Sequence, residues 1–219
     1  RSTLFPYTTL FRSSYGTPDW VTSATNYTFT IPAEYDGAYV TATFVSDVAN
    51  LITSLDDIID PNGTYKLARD INASGFSGLS TPFTGTLDGD CHTIYGLGTP
   101  LFSSIDGGTV KNLFFDNVSI SGGTNVGAIC GEATGASRIY NCGVLATGST
   151  VETDAKGYTS ITSSSSSVSG TGSVGGLVGV LDGTSRVINC FSYANITGGN
   201  LDGGIGGETK VATTSSNLK

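Results

Sequence analysis

The chain of 219 residues has a single histidine, His92. A zinc-peptidase motif of the H-E-x-x-H type needs two imidazoles, so this stretch cannot supply one. A Ser-His-Asp arrangement would have to use His92, with Asp88 and Asp90 nearby in LDGDCHTI, but no G-x-S-x-G nucleophile turn accompanies it. His92 therefore reads as a structural turn residue. Basic side chains are also scarce: 10 Lys and Arg face 18 Asp and Glu, the net charge is −8, and the cations never cluster. Phosphate contact needs a positive stripe, so no nucleic-acid partner is expected and anionic membranes are disfavoured. No apolar run approaches the ~20 residues of a membrane span, so no transmembrane segment is expected. None of the four cysteines, Cys91, Cys130, Cys142 and Cys190, forms a C-x-x-C pair. In a chain long enough to build a core they read as buried thiols, with a single disulfide as the alternative; His92 alone cannot complete a Cys/His zinc set, and no metal or cofactor is expected.

Methionine is absent even at position 1, which predicts a fragment or a processed chain. Residues 1–13, RSTLFPYTTLFRS, resemble a translated sequencing adapter and are set aside from fold reasoning. Any signal or anchor would then lie outside this stretch. Over residues 14–45, the alternating Tyr27-Thr28-Phe29-Thr30-Ile31 and Tyr39-Val40-Thr41-Ala42-Thr43-Phe44 predict strands, either a remnant of a preceding β domain or a hairpin. Residues 46–60 predict a helix. Val48, Leu51, Ile52, Leu55, Ile58 and Ile59 share a helical face, Ser46 or Asp47 offers a cap, and Pro61-Asn62-Gly63 stops it.

Glycine is what the chain has in plenty, 31 residues, and it recurs in a pattern. VGAICGEATGASRIYNC at 126–142 and VGGLVGVLDGTSRVINC at 174–190 share one grammar. Val110-Lys111-Asn112, Ile139-Tyr140-Asn141 and Val187-Ile188-Asn189 align, with the asparagines at offsets of 29 and 48, and Gly175-Gly176-Leu177 recurs 28 residues on as Gly203-Gly204-Ile205. A period near 28 with one long interval places a polar loop insertion at 149–170. A fixed period of 20–50 residues means a solenoid, and β-branched runs broken by Gly point to stacked strands. The expected fold is all-β, a parallel β-helix over 46–207 with the 46–60 helix as an N-terminal capping helix. Residues 208–219 form a tail without the turn or the Val-x-Asn partner of another coil, which predicts an uncapped end and an array that continues beyond it. Stacked coils would place Asn112, Asn141 and Asn189 in a hydrogen-bonded corner column, with Cys142, Cys190 and Leu113 inside. Lys111, Tyr140 and Ile188 would face outward, and their dissimilarity argues against one ligand-binding row repeated in every coil.

GGLVG followed by a turn and INC resembles the GLUG motif. YKLARDINAS, FTGTLDGDCHTIYGL and LFSSIDGGTVKNL resemble the segment that leads into GLUG repeats in bacterial surface proteins. The resemblance covers residues 48–207, and Cys91 stands where Gly is common. It implies a right-handed β-helix on secreted or surface proteins, some adhesin-like, some metallopeptidases that cleave immunoglobulin A1 with the repeats outside the catalytic domain. It carries no catalytic residues to transfer.

Enzymes that cleave polysaccharide on a β-helix gather carboxylates on one face. Here Asp88, Asp90, Asp106, Asp116, Asp182 and Asp202 sit mostly in Asp-Gly turns, without the coil period and without a calcium-loop spacing. No catalytic, cofactor or metal residue is assigned and no enzymatic activity is expected of this stretch. The expected function is a non-catalytic repeat module of a secreted or surface-anchored bacterial protein. Its role would be adhesion to host or dietary glycans or host surface proteins, or a stalk. The alternative is an accessory or catalytic β-helix region of a secreted polysaccharide- or protein-degrading enzyme.

Overall fold

The computed structural model describes residues 27–30, 39–42, 50–153 and 159–210. The adapter-like residues 1–13, the Ser46 and Asp47 caps, and most of the 208–219 tail lie outside the described residues. The chain falls into two units, 1–47 and 48–219. In the first, Tyr27–Thr30 pairs antiparallel with Tyr39–Ala42.

The second unit is all-β and built as a parallel solenoid. One coil reads Thr109–Lys111, Phe114–Asp116, Ser119–Ser121, Asn125–Val126 and Cys130–Thr134, before Arg138–Tyr140 begins the next. Each strand hydrogen-bonds to its equivalent in the neighbouring coil, giving stacked sheets of six, five, four, three and three strands among the described residues. The register preserves the repeat: Val110 lies opposite Ile139 and Ile139 opposite Val187. These middle residues point inward and are buried, as are Phe115, Ile120, Val126, Ile129 and Ala133 around the same coil. Alternation sends their neighbours outward, so most short strands before the last coil contribute one or two side chains to a single continuous core.

The coil length changes along the stack. Thr64, Thr86 and Thr109 stand opposite one another at steps of 22 and 23 residues. The 28–29-residue period begins only where Ser119–Ser121 and Asn125–Val126 open the two three-stranded sheets. The extra residues add two sides to the coil, and the first coils use the space more tightly, with Phe83 and Phe102 stacked at 4.4 Å.

Two expectations need correction. The 46–60 capping helix is absent from its described part: Asn50–Ile52 is a strand paired in parallel with Thr64–Leu67, followed by a single 3-10 turn, Leu55–Asp57. The cause is local. Ser54, extended at φ −135°, accepts from Asp56 N–H, while the Asp57 carboxylate accepts from Thr53 and Ser54 N–H at 3.0 Å each. This capping box starts a new turn in the middle of the supposed helix, and the free edge of Thr64–Leu67 offers the preceding residues a ladder. Ile52, Leu55 and Ile58 still enter the core, whereas Leu51 and Ile59 are exposed. The 149–170 insertion is also not wholly loop. Thr150–Thr153 and Thr159–Ser163 form an antiparallel hairpin, and Ser167–Ser169 is already a coil strand between Ser119–Ser121 and Asn195–Thr197.

The glycines of GGLVG serve close approach. None of Gly175, Gly176 and Gly179 has a positive φ. A Cβ on Gly175 would stand 2.1 Å from the Val178 carbonyl oxygen, and one on Gly176 2.3 Å from that of Gly204. Left-handed backbone falls elsewhere, at asparagines such as Asn112, Asn141 and Asn189 and at turn glycines such as Gly107, Gly135 and Gly183.

Candidate functional site: the polar corner and outward rows

Asn112, Asn141 and Asn189 adopt φ of 51°, 54° and 52°, a conformation asparagine tolerates better than most side chains. The turn aims each carboxamide along the stack. Asn189 Nδ2 donates to Asn141 Oδ1 at 2.7 Å, Asn141 Nδ2 to Asn112 Oδ1 at 3.1 Å, and Asn112 Nδ2 to Asp88 Oδ1 at 3.0 Å. The expected corner column is therefore present, and it ends on a carboxylate that sequence reasoning left out of it. Asp88 belongs because its coil has Gly89 at the Asn position: a Cβ there would meet the Asn112 carbonyl oxygen at 2.4 Å.

Beside the column runs an outward row of opposed residues, Lys66, Asp88, Lys111, Tyr140 and Ile188. Lys111 Nζ lies 3.1 Å from Asp88 Oδ2, and Lys66 Nζ 3.0 Å from Asp90 Oδ1. Burial opposes ionisation of Asp88, but hydrogen bonds from Asp90 N–H, Asn112 and Lys111 together outweigh it and hold its pKa below the ordinary value. The hydrogen bond to Asp88 raises Lys111 in turn. The row thus runs from paired charges to exposed carbon.

His92 does not meet Asp88 or Asp90 in an ion pair. Its Nδ1 lies 3.1 Å from Asp70 Oδ1, which also accepts from Thr93 N–H at 2.9 Å. Asp70 precedes Ile71, which stands opposite Ile94, so the coil register places it beside Thr93. No local signal marks this pair, because Asp70 and His92 lie 22 residues apart and meet only through the stack. The remaining carboxylates are dispersed. Asp106 accepts from Thr134 Oγ1 at 3.2 Å, and buried Asp116 accepts from the N–H groups of Asn117 and Thr147. Asp182 caps its own turn at Gly183, and Asp202 accepts from Gly198 N–H.

Among the described residues no group of three or more His, Cys, Asp or Glu side chains is placed to hold a metal ion. A hydrolytic zinc site needs three protein ligands and an open position, so these residues do not fit one. Two recesses beside the first coils have volumes of about 220 and 190 Å³, below the usual size of a small-molecule site. The outer surface offers faces rather than pockets. On one, Phe114 and Phe191 face each other at 6.2 Å across Gly143, and Tyr193 extends the group at 5.4 Å from Phe191. A Cβ on Gly143 would strike the Phe191 ring at 2.4 Å, so the glycine gap is covered by the aromatic ring. No described helix is long and apolar enough to cross a membrane.

Residues 22–146, more than half of the chain, match the family model of the M26 IgA1-specific metallo-endopeptidase N-terminal region. An immunoglobulin A1 protease of Streptococcus sanguinis is 39% identical over 112 residues, 45% of this chain and 6% of the relative. One from Streptococcus pneumoniae serotype 4 is 35% identical over 135 residues, 55% of this chain and 6% of the relative. The chain thus spans only a small part of the curated relatives it matches. Among solved structures, a candidate immunoglobulin A1 protease of Bacteroides ovatus superposes with a TM-score of 0.53 at 21% identity, covering 74% of this chain and 53% of that one. That likeness concerns the fold.

These matches correct the GLUG identification. The matched region takes in YKLARDINAS, FTGTLDGDCHTIYGL and LFSSIDGGTVKNL, the segments read above as leading into GLUG repeats, and it ends at residue 146, before the GGLVG stretch. The glycines of that stretch answer to crowding between coils, a demand that any such stack makes, so the motif reports the fold and not the family.

Proposed function

The chain belongs to the family of the M26 IgA1-specific metallo-endopeptidase N-terminal region, and from this premise we propose that it is a non-catalytic accessory region of a secreted or surface-attached bacterial peptidase. Its task is to contact the peptidase's substrate, immunoglobulin A1 or a similar glycosylated host protein, and to set it at a distance from the active centre. This is the accessory form of the reading first kept as the alternative to a stand-alone adhesin or stalk. The family match supports it most, because it covers the first coils rather than a generic repeat.

The faces suit that task. The outward row offers Tyr140 and Ile188 next to neutralised charges, and Phe114, Phe191 and Tyr193 offer an aromatic surface; Ile188 is 38% exposed and Tyr193 56%. Aromatic anchors framed by polar groups are what protein interfaces use. The test is binding of immunoglobulin A1, with immunoglobulin A2 beside it, to the immobilised chain. The proposal expects saturable binding of immunoglobulin A1 that weakens at least about tenfold when Tyr140 and Tyr193 are changed to Ala, in line with interfacial tyrosine anchors. Equal and negligible binding of both would leave a spacer as the function and defeat the contact role.

A further inference from the structure

Coil stacking puts two of the four thiols on neighbouring rungs. Tyr140 lies opposite Ile188 and Gly143 opposite Phe191, so Cys142 and Cys190 hold the same position in successive coils. Strand rungs are ~4.8 Å apart, inside the Cα separation of ~4.4–6.8 Å that disulfides require. The Cys190 sulfur leans toward the lower rung: Cys142 N–H donates to it at 3.4 Å, and it lies 3.9 Å from the Ile139 carbonyl oxygen. The Cys142 sulfur lies 3.3 Å from the Tyr140 carbonyl oxygen and 3.8 Å from that of Val110. The rung below carries Leu113. Cys130 is a strand residue of a different sheet, opposite Phe102 and Val178, and Cys91 is exposed at an earlier turn.

We propose that Cys142 and Cys190 are a dithiol that closes into a disulfide between coils, stapling the last described coil to the one beneath. The oxidant is a low-molecular-weight disulfide of the glutathione class. Cys190, partly accessible, loses its proton to solvent and attacks one sulfur of the oxidant. The oxidant's S–S bond breaks, and one half leaves as a thiolate that takes up a proton. Cys142 then turns its sulfur away from the Val110 carbonyl, gives up its proton, and attacks the Cys190 sulfur of the mixed disulfide. The second half leaves as a thiol. The protein gives up two electrons and two protons, and one disulfide becomes two thiols.

The local acidities favour that order. Hydrogen bonding from Cys142 pulls the Cys190 thiol down, whereas burial pushes Cys142 up. The closed loop would run from residue 142 to 190 and include the Thr150–Thr153 and Thr159–Ser163 hairpin. The staple would therefore close a whole coil together with the hairpin it carries. This inference stands on coil register alone and is independent of the proposed accessory role.

The experiment uses the full chain with Cys91→Ser, which removes the exposed thiol, equilibrated across ratios of oxidised to reduced glutathione. Intact mass and peptide mapping should show a loss of ~2 Da without a retained adduct, together with a peptide linking Cys142 to Cys190. Adding Cys190→Ser should abolish both. The oxidised protein should melt at least ~4 °C higher, reversed by dithiothreitol. Stable glutathione adducts on Cys190, thiols that stay free throughout, or a link to Cys130 would each overturn the pairing. A Cys142–Cys190 link that leaves the melting temperature unchanged or lower would overturn the staple.

Discussion

Replacing Asn141 by Ala separates the two things the corner column does. Asn141 holds φ at 54°, donates to Asn112 at 3.1 Å and accepts from Asn189 at 2.7 Å. Alanine loses the local polar contacts that let asparagine sit in the left-handed region, a cost of ~1 kcal/mol. Both carboxamide bonds are lost as well. The corner is exposed, so the freed partners turn to water and each bond is worth only ~0.5 kcal/mol. The expected destabilisation is ~2 kcal/mol, or a melting temperature lower by ~4–8 °C for a domain of this size. Glycine keeps the φ and loses only the bonds, so Asn141→Gly should cost ~1 kcal/mol. Urea unfolding followed by circular dichroism gives both values. If glycine proves as costly as alanine, the backbone argument fails. If both variants unfold with the parent, the column contributes nothing to stability.

Acid should weaken the same corner. Asp88 has a folded pKa below its unfolded one, so its contribution is fully present above the unfolded value and is lost as pH falls through the folded value. Asp88→Asn should flatten the acid limb of a melting-temperature profile. Lys111 is shifted upward, so its share is present below the unfolded value and is lost as pH rises through the folded one; Lys111→Gln should flatten the alkaline limb. Phe102→Ala removes a fully buried ring stacked on Phe83 and should cost ~3–5 kcal/mol in urea unfolding. A loss below ~1 kcal/mol would mean that the first coils collapse into the gap.

The period was legible because one coil's inward residues must match those above and below. Val110, Ile139 and Val187, and the asparagines that follow them, therefore announced both the stack and its corner. The shorter first coils were not legible as repeats, because they lack two of the five sides and share no glycine grammar with the rest. The 46–60 helix misled because Leu55 and Ile58 are core residues at helical spacing, while the capping box at Ser54 and the pairing edge at Thr64–Leu67 act only once the coil exists. The ends of the ion pairs were hidden for the same reason: Asp70 is 22 residues from His92, and only stacking brings them together.

The most direct measurement incubates immunoglobulin A1 with the purified chain in the presence of zinc and reads binding and cleavage from the same mixture. The account predicts a complex with intact heavy chains at every time point. Fragments of the heavy chain that disappear when Asp70, Asp88, Asp90 or His92 is changed would contradict it.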